Sequence, residues 1–355
     1  MIGRGLRLLA ALKAGRWLGA PAARVVVTLH HVRPALSAAD FDPLSHLSVT
    51  PEFLDRFLAE MASAGWRFVT PTELLEPAVP GASHRMVVTL DDGYRDNAEH
   101  AAPVFRRHGC PFTIYVTPGF CDRSAEIWWE ALERIIARTD RMEADPGGPP
   151  ALATGTADEK NAAFRIWIDY LAGSVDEAKQ RQLIRRLCDR YGVDLAALAA
   201  ELVMDWDEVR AIARDPLCTI GAHTMTHPAL KRLPEAEARR EMRESADRIE
   251  REIGTRPATL AFPYGYSTAA GPREARLAAE EGFAASFTTR PGCVDLECAG
   301  HGLPRISLNG NYQDVRLYPA LFAPNLWRLA DWLKSAARRF HPPVAPSTGS
   351  PHPQV

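Results

Sequence analysis

The sequence is poor in cysteine, in long apolar runs and in net charge, and each shortage excludes something. Its six cysteines, at positions 110, 121, 188, 218, 293 and 298 of 355, include no CxxC pair, which argues against a zinc–thiolate cluster and against a dense disulfide framework. A reducing compartment, the cytoplasm, is the expectation. No run approaches the ~20 apolar residues that a bilayer-spanning helix needs. With a formal net charge of −2 and a pI near 6.6, no global basic field draws the chain to nucleic acid, and no nucleic-acid partner is expected.

What is present suits a globular chain with a sizeable core, since 46% of residues are hydrophobic. Residues 1–23 form a basic amphipathic segment, with Arg4, Arg7, Lys13 and Arg16 beside Leu8, Leu9, Leu12 and Trp17. Lys13 cuts its apolar run before signal-peptide length, and the segment suits a weak peripheral contact with an anionic membrane at the inner face. At the other end, residues 341–355 are rich in proline, lack periodicity and read as a disordered tail.

Between these ends, short apolar runs alternate with helical patterns, the signature of βα units. Strands are expected at Arg24 to Leu29, Met86 to Leu90, Pro111 to Val116, Leu217 to Ala222, Thr259 to Phe262, Ala284 to Thr288 and Leu303 to Leu308. Helices are expected from Pro51, a first-turn proline, to a stop at Gly65, and from Leu233 to a stop at Gly254. About seven strands, each followed by a helix or loop, predict an α/β fold, a closed or nearly closed (β/α) barrel over 24–120 and 214–312. Residues 121–213 interrupt this rhythm with successive helical patterns and read as a helical insertion, within which the Pro- and Gly-containing stretch 144–159 reads as an exposed linker. Residues 313–340 form a C-terminal helical segment whose stretch 328–340 is expected to pack on the barrel or cover its edge.

In such folds chemistry sits where strands end. The run VVTL (87–90) ends in adjacent carboxylates, Asp91 and Asp92, which repel each other and resist dehydration unless a cation is near. The run Cys218 to Ala222 ends in His223, followed four residues later by His227, with Pro228 favouring a loop over a helix. Two imidazoles and Asp92 make a two-nitrogen, one-oxygen set of the kind that catalytic divalent metals use. Asp91 is then free to take a proton from an attacking water.

TLDDGY (89–94), HTMTH (223–227) and AFPYG (261–265) resemble, in order, the first three motifs of the polysaccharide deacetylases of carbohydrate esterase family 4, the group with the nodulation-type chitooligosaccharide deacetylases. The similarity spans roughly residues 24–310. It implies a distorted (β/α) barrel of about seven strands, a divalent metal of zinc type, with cobalt, nickel and manganese also compatible, and removal of N-acetyl groups from an N-acetylated glycan. Carried over by residue, it makes Asp91 the base, Asp92, His223 and His227 the metal ligands, and the backbone N–H of Tyr264, which follows Pro263, the oxyanion donor.

Two departures from the family's pattern stand out. Its third motif often opens with an arginine that holds the base, but Ala261 occupies that place, and Arg305 in LPRISL is the candidate to supply the guanidinium from another strand. Many members carry the general acid as a histidine in a late LxH motif, and none is present after residue 290. VVTLHHV (26–32) resembles the first strand of a bacterial subgroup in which an early histidine serves instead, which makes His30 the first candidate, ahead of His31 and His301. Trp128 and Trp129 are candidates for stacking on a sugar ring, one as core and one as contact, with Pro263 and His301 as further substrate contacts. Two other functions are compatible with the same residues: hydrolysis of a cyclic ureide or imide, and glycan binding without catalysis. The sequence carries no signal for oligomeric state.

Overall fold

The computed structural model describes residues 21–35, 41–77, 84–295 and 300–340. The expectations for residues 1–20 and for the tail 341–355 fall outside these.

One parallel sheet organises the chain. Its strands are β1 (Arg24–Leu29), β2 (Trp66–Phe68), β3 (His84–Leu90), β4 (Phe112–Val116), β5 (Cys218–Ala222), β6 (Thr259–Ala261), β7 (Ala285–Phe287) and β8 (Ile306–Ser307). They run in the order β7-β6-β5-β4-β3-β1-β8, with β2 pairing the start of β3. Every ladder is parallel, as βα crossovers require. The residues before β8 close the circuit: Leu303 bridges to Phe287 on one side, and Ile306 pairs with Val27 on the other. The sheet is thus curled into the distorted (β/α) barrel that the strand count predicted, and the seven predicted strands are all present. The eighth, β2, is only three residues long and too short to show alternation.

Alternation along the strands separates two cores. Val25, Val27 and Leu29 of β1, with Met86, Val88 and Leu90 of β3, pack outward against helices such as Pro51–Ser63. Val26, Val87, Tyr115, Ala261 and Phe287 fill the barrel interior. That interior is tight at Gly221 on β5, where an added Cβ would lie 2.3 Å from the Tyr115 ring. Because the period is two, the register that sends Val87 inward also sends Thr89 and then Asp91 inward at the mouth.

The helices begin and end where the sequence signals fall. Thr50 Oγ1 accepts from Phe53 N at 3.1 Å and Pro51 occupies the first turn, while Glu235–Ile253 stops at Gly254 in a left-handed conformation, φ 73°. Between β4 and β5 lie the helices Trp128–Ala137, Ala157–Asp169, Glu177–Tyr191, Leu195–Leu202 and Trp206–Ile212, with their own apolar core around Trp129, Trp167 and Leu183. The stretch between the first two departs from the expected exposed linker. Arg141–Met142 pairs antiparallel with Leu152–Ala153, and the buried Asp145 carboxylate is held by Arg186 and Arg190. Its partners lie some forty residues away, so composition alone reads it as loop.

The C-terminal helix Pro324–Phe340 packs on the barrel through its first turn, where Trp327 Nε1 donates to Leu321 O at 2.8 Å. Beyond it Leu329, Trp332 and Leu333 are exposed by 49%, 64% and 53%, so these three side chains do not pack on the barrel. Among the described residues, no helix is long and apolar enough to cross a membrane.

Candidate active site

The candidate residues converge where β1, β3, β5 and β6 end. Asp91 N donates to Leu29 O at 3.0 Å, so Asp91 still belongs to the sheet and its carboxylate faces inward. Asp92 then adopts φ 71°, in the left-handed region, and the chain turns out of the strand. That reversal lets two adjacent carboxylates face different partners. Among the described residues, five non-glycine residues have positive φ, and four of them are Asp92, Thr224, His227 and Tyr264, all in the three motifs. Backbone strain is concentrated at the place the motifs mark.

Asp91 meets Arg305. The guanidinium donates to both carboxylate oxygens, at 2.8 and 2.6 Å, to Thr89 Oγ1 at 3.1 Å and to Thr288 O at 2.9 Å, and both residues are buried. This fork-to-fork pairing fixes the carboxylate plane. Burial pushes the Asp91 pKa up, but the Arg305 charge and hydrogen bonds together with the nearby His223 and His30 hold the group below the ordinary carboxylate value. Ala261 contributes its backbone instead of a side-chain charge: His223 Nδ1 lies 2.7 Å from Ala261 O. That contact commits Nδ1 as donor and turns Nε2 toward Asp92.

Asp92 Oδ1 lies 3.4 Å from His223 Nε2 and 3.2 Å from His227 Nε2. Among the described residues, this trio is the group whose potential ligand atoms all lie within 4.8 Å of one another, and all three residues are buried. Asp92 Oδ1 has no hydrogen-bond partner meeting normal geometry, nor does His227 Nδ1. A buried carboxylate oxygen facing two imidazole nitrogens, none of them satisfied by a good hydrogen bond, is a donor set that fits a divalent cation. Burial opposes ionisation of Asp92, yet the two histidines hold its pKa well below the ordinary range. Burial lowers the His227 pKa, whereas at His223 burial is outweighed by the combined effect of the facing Asp92 and Asp91 carboxylates and the Ala261 carbonyl, which raise it.

Above these groups lies a cavity of about 380 Å3. Its floor is Thr28, His30, Asp91, Asp92, His223 and His227. Trp128, Trp129, Phe164 and Ile168 of the inserted helices form one wall, Leu44 and Leu47 another, and Tyr264 and Tyr266 a third. Both tryptophans therefore line the cavity while being nearly buried, rather than dividing into one core and one contact residue. Trp128 Nε1 donates to Tyr264 OH at 2.8 Å and Trp129 Nε1 to Tyr94 OH at 2.9 Å. The turn carrying Pro263 and Tyr264 is closed by Gly265, φ 64°, where a Cβ would lie 2.3 Å from Thr289 N.

The three histidine candidates for a proton donor separate. His30 lines the cavity, and burial lowers its pKa despite the nearby Asp92 and Asp91 charges. His31 points away from the cavity, its Nδ1 2.6 Å from Asp96 Oδ2 and its Nε2 3.3 Å from Glu130 Oε1. Burial alone would lower its pKa, but hydrogen bonds to the two carboxylates raise it to about 9. His301 is not brought into this cavity. It lies in the loop after Gly300 with its ring 3.3 Å from Ser286 Oγ, and borders a separate depression with Lys231 and Arg290.

Reading the sequence missed the cavity walls Leu44, Leu47, Phe164 and Ile168, as well as the buried network of His31, Asp96, Glu130 and Tyr94. The spacing of these residues along the chain gives no local pattern. Asp205 and Trp206 sit outside the cavity at a capped helix start: Asp205 Oδ1 accepts from Glu208 N at 2.9 Å, and Trp206 Nε1 donates to Asp122 at 2.7 Å.

Comparison with known proteins follows the same lines. The polysaccharide deacetylase family model matches residues 176–281, which include HTMTH and AFPYG but not TLDDGY. No curated protein sequence matches the chain. The fold is similar to that of the Streptococcus pyogenes deacetylase PplD in complex with acetate, at 16% identity and a TM-score of 0.53, covering 82% of this chain and 94% of that one. It is similar to IcaB from Ammonifex degensii at 18% identity and a TM-score of 0.51, covering 84% and 96%. A de-N-acetylase from Aggregatibacter actinomycetemcomitans gives 13% identity and a TM-score of 0.53, covering 83% and 98%. Residues 176–281 thus match the polysaccharide deacetylase family model, and the chain as a whole shares the (β/α) barrel fold of these solved structures.

Proposed function

We propose that this protein is a metal-dependent hydrolase that removes N-acetyl groups from N-acetylglucosamine-type oligo- or polysaccharides. The observation that carries the reading is the placement of an arginine-held Asp91 beside the Asp92–His223–His227 trio at the floor of one cavity. Asp92, His223 and His227 would hold a divalent cation, zinc or one of cobalt, nickel and manganese, which when bound would supply Lewis acidity. Asp91, oriented by Arg305, accepts the proton of the water that attacks the amide carbonyl. The backbone N–H of Tyr264, in the motif that resembles the family's third, is the donor assigned to the developing oxyanion. His30 gives its proton to the leaving amine nitrogen, which completes acetate release. Trp128, Trp129 and Pro263 contact the sugar, and the inserted helices of 121–213 shape the groove that sets glycan length. We place the reaction in the cytoplasm, in keeping with five described cysteines that are all free.

The test is metal analysis of the purified protein together with acetate release from a panel of N-acetylglucosamine oligomers. Stoichiometric metal and acetate release that is lost in Asp91→Asn support the reading. Ring opening of cyclic ureides or imides without acetate release would establish the other hydrolase chemistry. Oligosaccharide binding without metal-dependent turnover would make the barrel a binding module.

A further inference from the structure

We propose that the helix Pro324–Phe340 docks on an anionic lipid bilayer surface through Leu329, Trp332 and Leu333. These three residues, spaced three and four apart, share one helical face. They rank among the few large hydrophobic side chains exposed on the described surface, and Trp332, at 64%, is the most exposed of those. Burying an apolar side chain is favourable wherever a partner exists, so a contiguous Leu–Trp–Leu patch on one helix needs one.

Charge selects the partner. The helix sequence carries Arg328, Lys334, Arg338 and Arg339 against the single acid Asp331, while the chain as a whole is slightly acidic at −2. A helix with an apolar face that includes a tryptophan, and with local basic excess in an otherwise acidic protein, has the composition of an interfacial helix on anionic lipid. Another surface of this same acidic chain offers less complementarity. The helix is anchored rather than free. Its first turn is held by the Trp327 bond to Leu321 O, and Pro324, Trp327 and Arg328 line a groove with Tyr266 and Thr289. Those last two residues also line the candidate catalytic cavity, so the lipid-facing helix starts at the rim of the site.

The experiment is co-sedimentation of the full chain with vesicles of phosphatidylcholine, with and without phosphatidylglycerol. Binding is expected only with the anionic lipid, and weakening as salt is added. Trp332→Glu combined with Leu333→Glu should lower the partition coefficient at least about tenfold. Trp332→Phe should retain most of it, and thermal unfolding and turnover of a soluble oligosaccharide should be unchanged in both. Unaltered partition of the double variant overturns the proposal, and loss of binding on reversing Arg4, Arg7, Lys13 and Arg16 instead would assign the contact to the N-terminal segment. A dimer in solution that the double variant converts to monomer, without vesicle binding by the parent, overturns it in favour of a contact between copies.

Discussion

Replacing Arg305 by methionine isolates the support of the base from every other element of the site. The substitution keeps a long side chain but removes two charge-assisted hydrogen bonds to Asp91, at 2.8 and 2.6 Å, and those to Thr89 and Thr288. Hydrogen bonds to charged groups are worth about 1.5–3 kcal/mol each, and breaking a buried ion pair costs about 3–5 kcal/mol, so the variant should lose stability of that order. In the parent, burial raises the Asp91 pKa but Arg305 depresses it, so its stabilising contribution is present above the ordinary carboxylate pKa and is lost as pH falls through the depressed value. Without the guanidinium only the weaker influence of His223 and His30 still opposes burial, and the pKa should rise. The acid limb of kcat/KM should therefore move to higher pH, and kcat/KM at neutral pH should fall at least about tenfold, with metal content unchanged. The assays are a pH–rate profile, metal analysis and urea unfolding. Adding Asp91→Asn should restore much of the stability and none of the activity, because the uncompensated charge is gone along with the base. An unshifted acid limb with turnover within about threefold of the parent would refute the argument.

Other outcomes follow from the same geometry. His30→Gln should lower kcat by about 10²- to 10⁴-fold while leaving bound metal unchanged, and a full rate would remove His30 from proton transfer. His31, raised to about 9 by Asp96 and Glu130, contributes stability that is complete below its unfolded pKa and lost as pH rises through 9. The gap of roughly 2.5 units corresponds to about 3 kcal/mol, so the difference in unfolding free energy between the parent and His31→Asn should shrink by that order between pH 6 and 10; parallel curves would contradict it. Gly221→Ala should destabilise by about 1–3 kcal/mol in urea, because the new Cβ meets the Tyr115 ring at 2.3 Å, and Tyr115→Leu should relieve most of that cost.

Much of the site was legible because it hangs on strand ends. Asp91, Asp92 and His223 each terminate an apolar run, and the period of two that buries the run also aims the next polar residue into the barrel. Arg305 was legible only as a response to the missing charge at Ala261. The His31 network was not, since its carboxylate partners lie 65 and 99 residues away and local patterns carry no trace of such pairings. His301 failed for the opposite reason. Its place near the last strand suggested the mouth of the barrel, but the loop after Gly300, φ 81°, carries its ring to Ser286. The exposed face of the C-terminal helix was read as a packing face because amphipathicity shows that an apolar stripe exists and not what meets it.

Arg305 also gives the chain a built-in check on its own completion. Asp91 precedes it by 214 residues, and both lie in one buried pair. As the polypeptide emerges from the ribosome, the carboxylates come first, the histidines second, and the counter-charge for the base only with the segment that closes the barrel. A product ending shortly before residue 305 would retain Asp92, His223 and His227 yet leave Asp91 without its guanidinium. Turnover, more than metal content, is therefore the sensitive reporter that synthesis has run through to the closing strand.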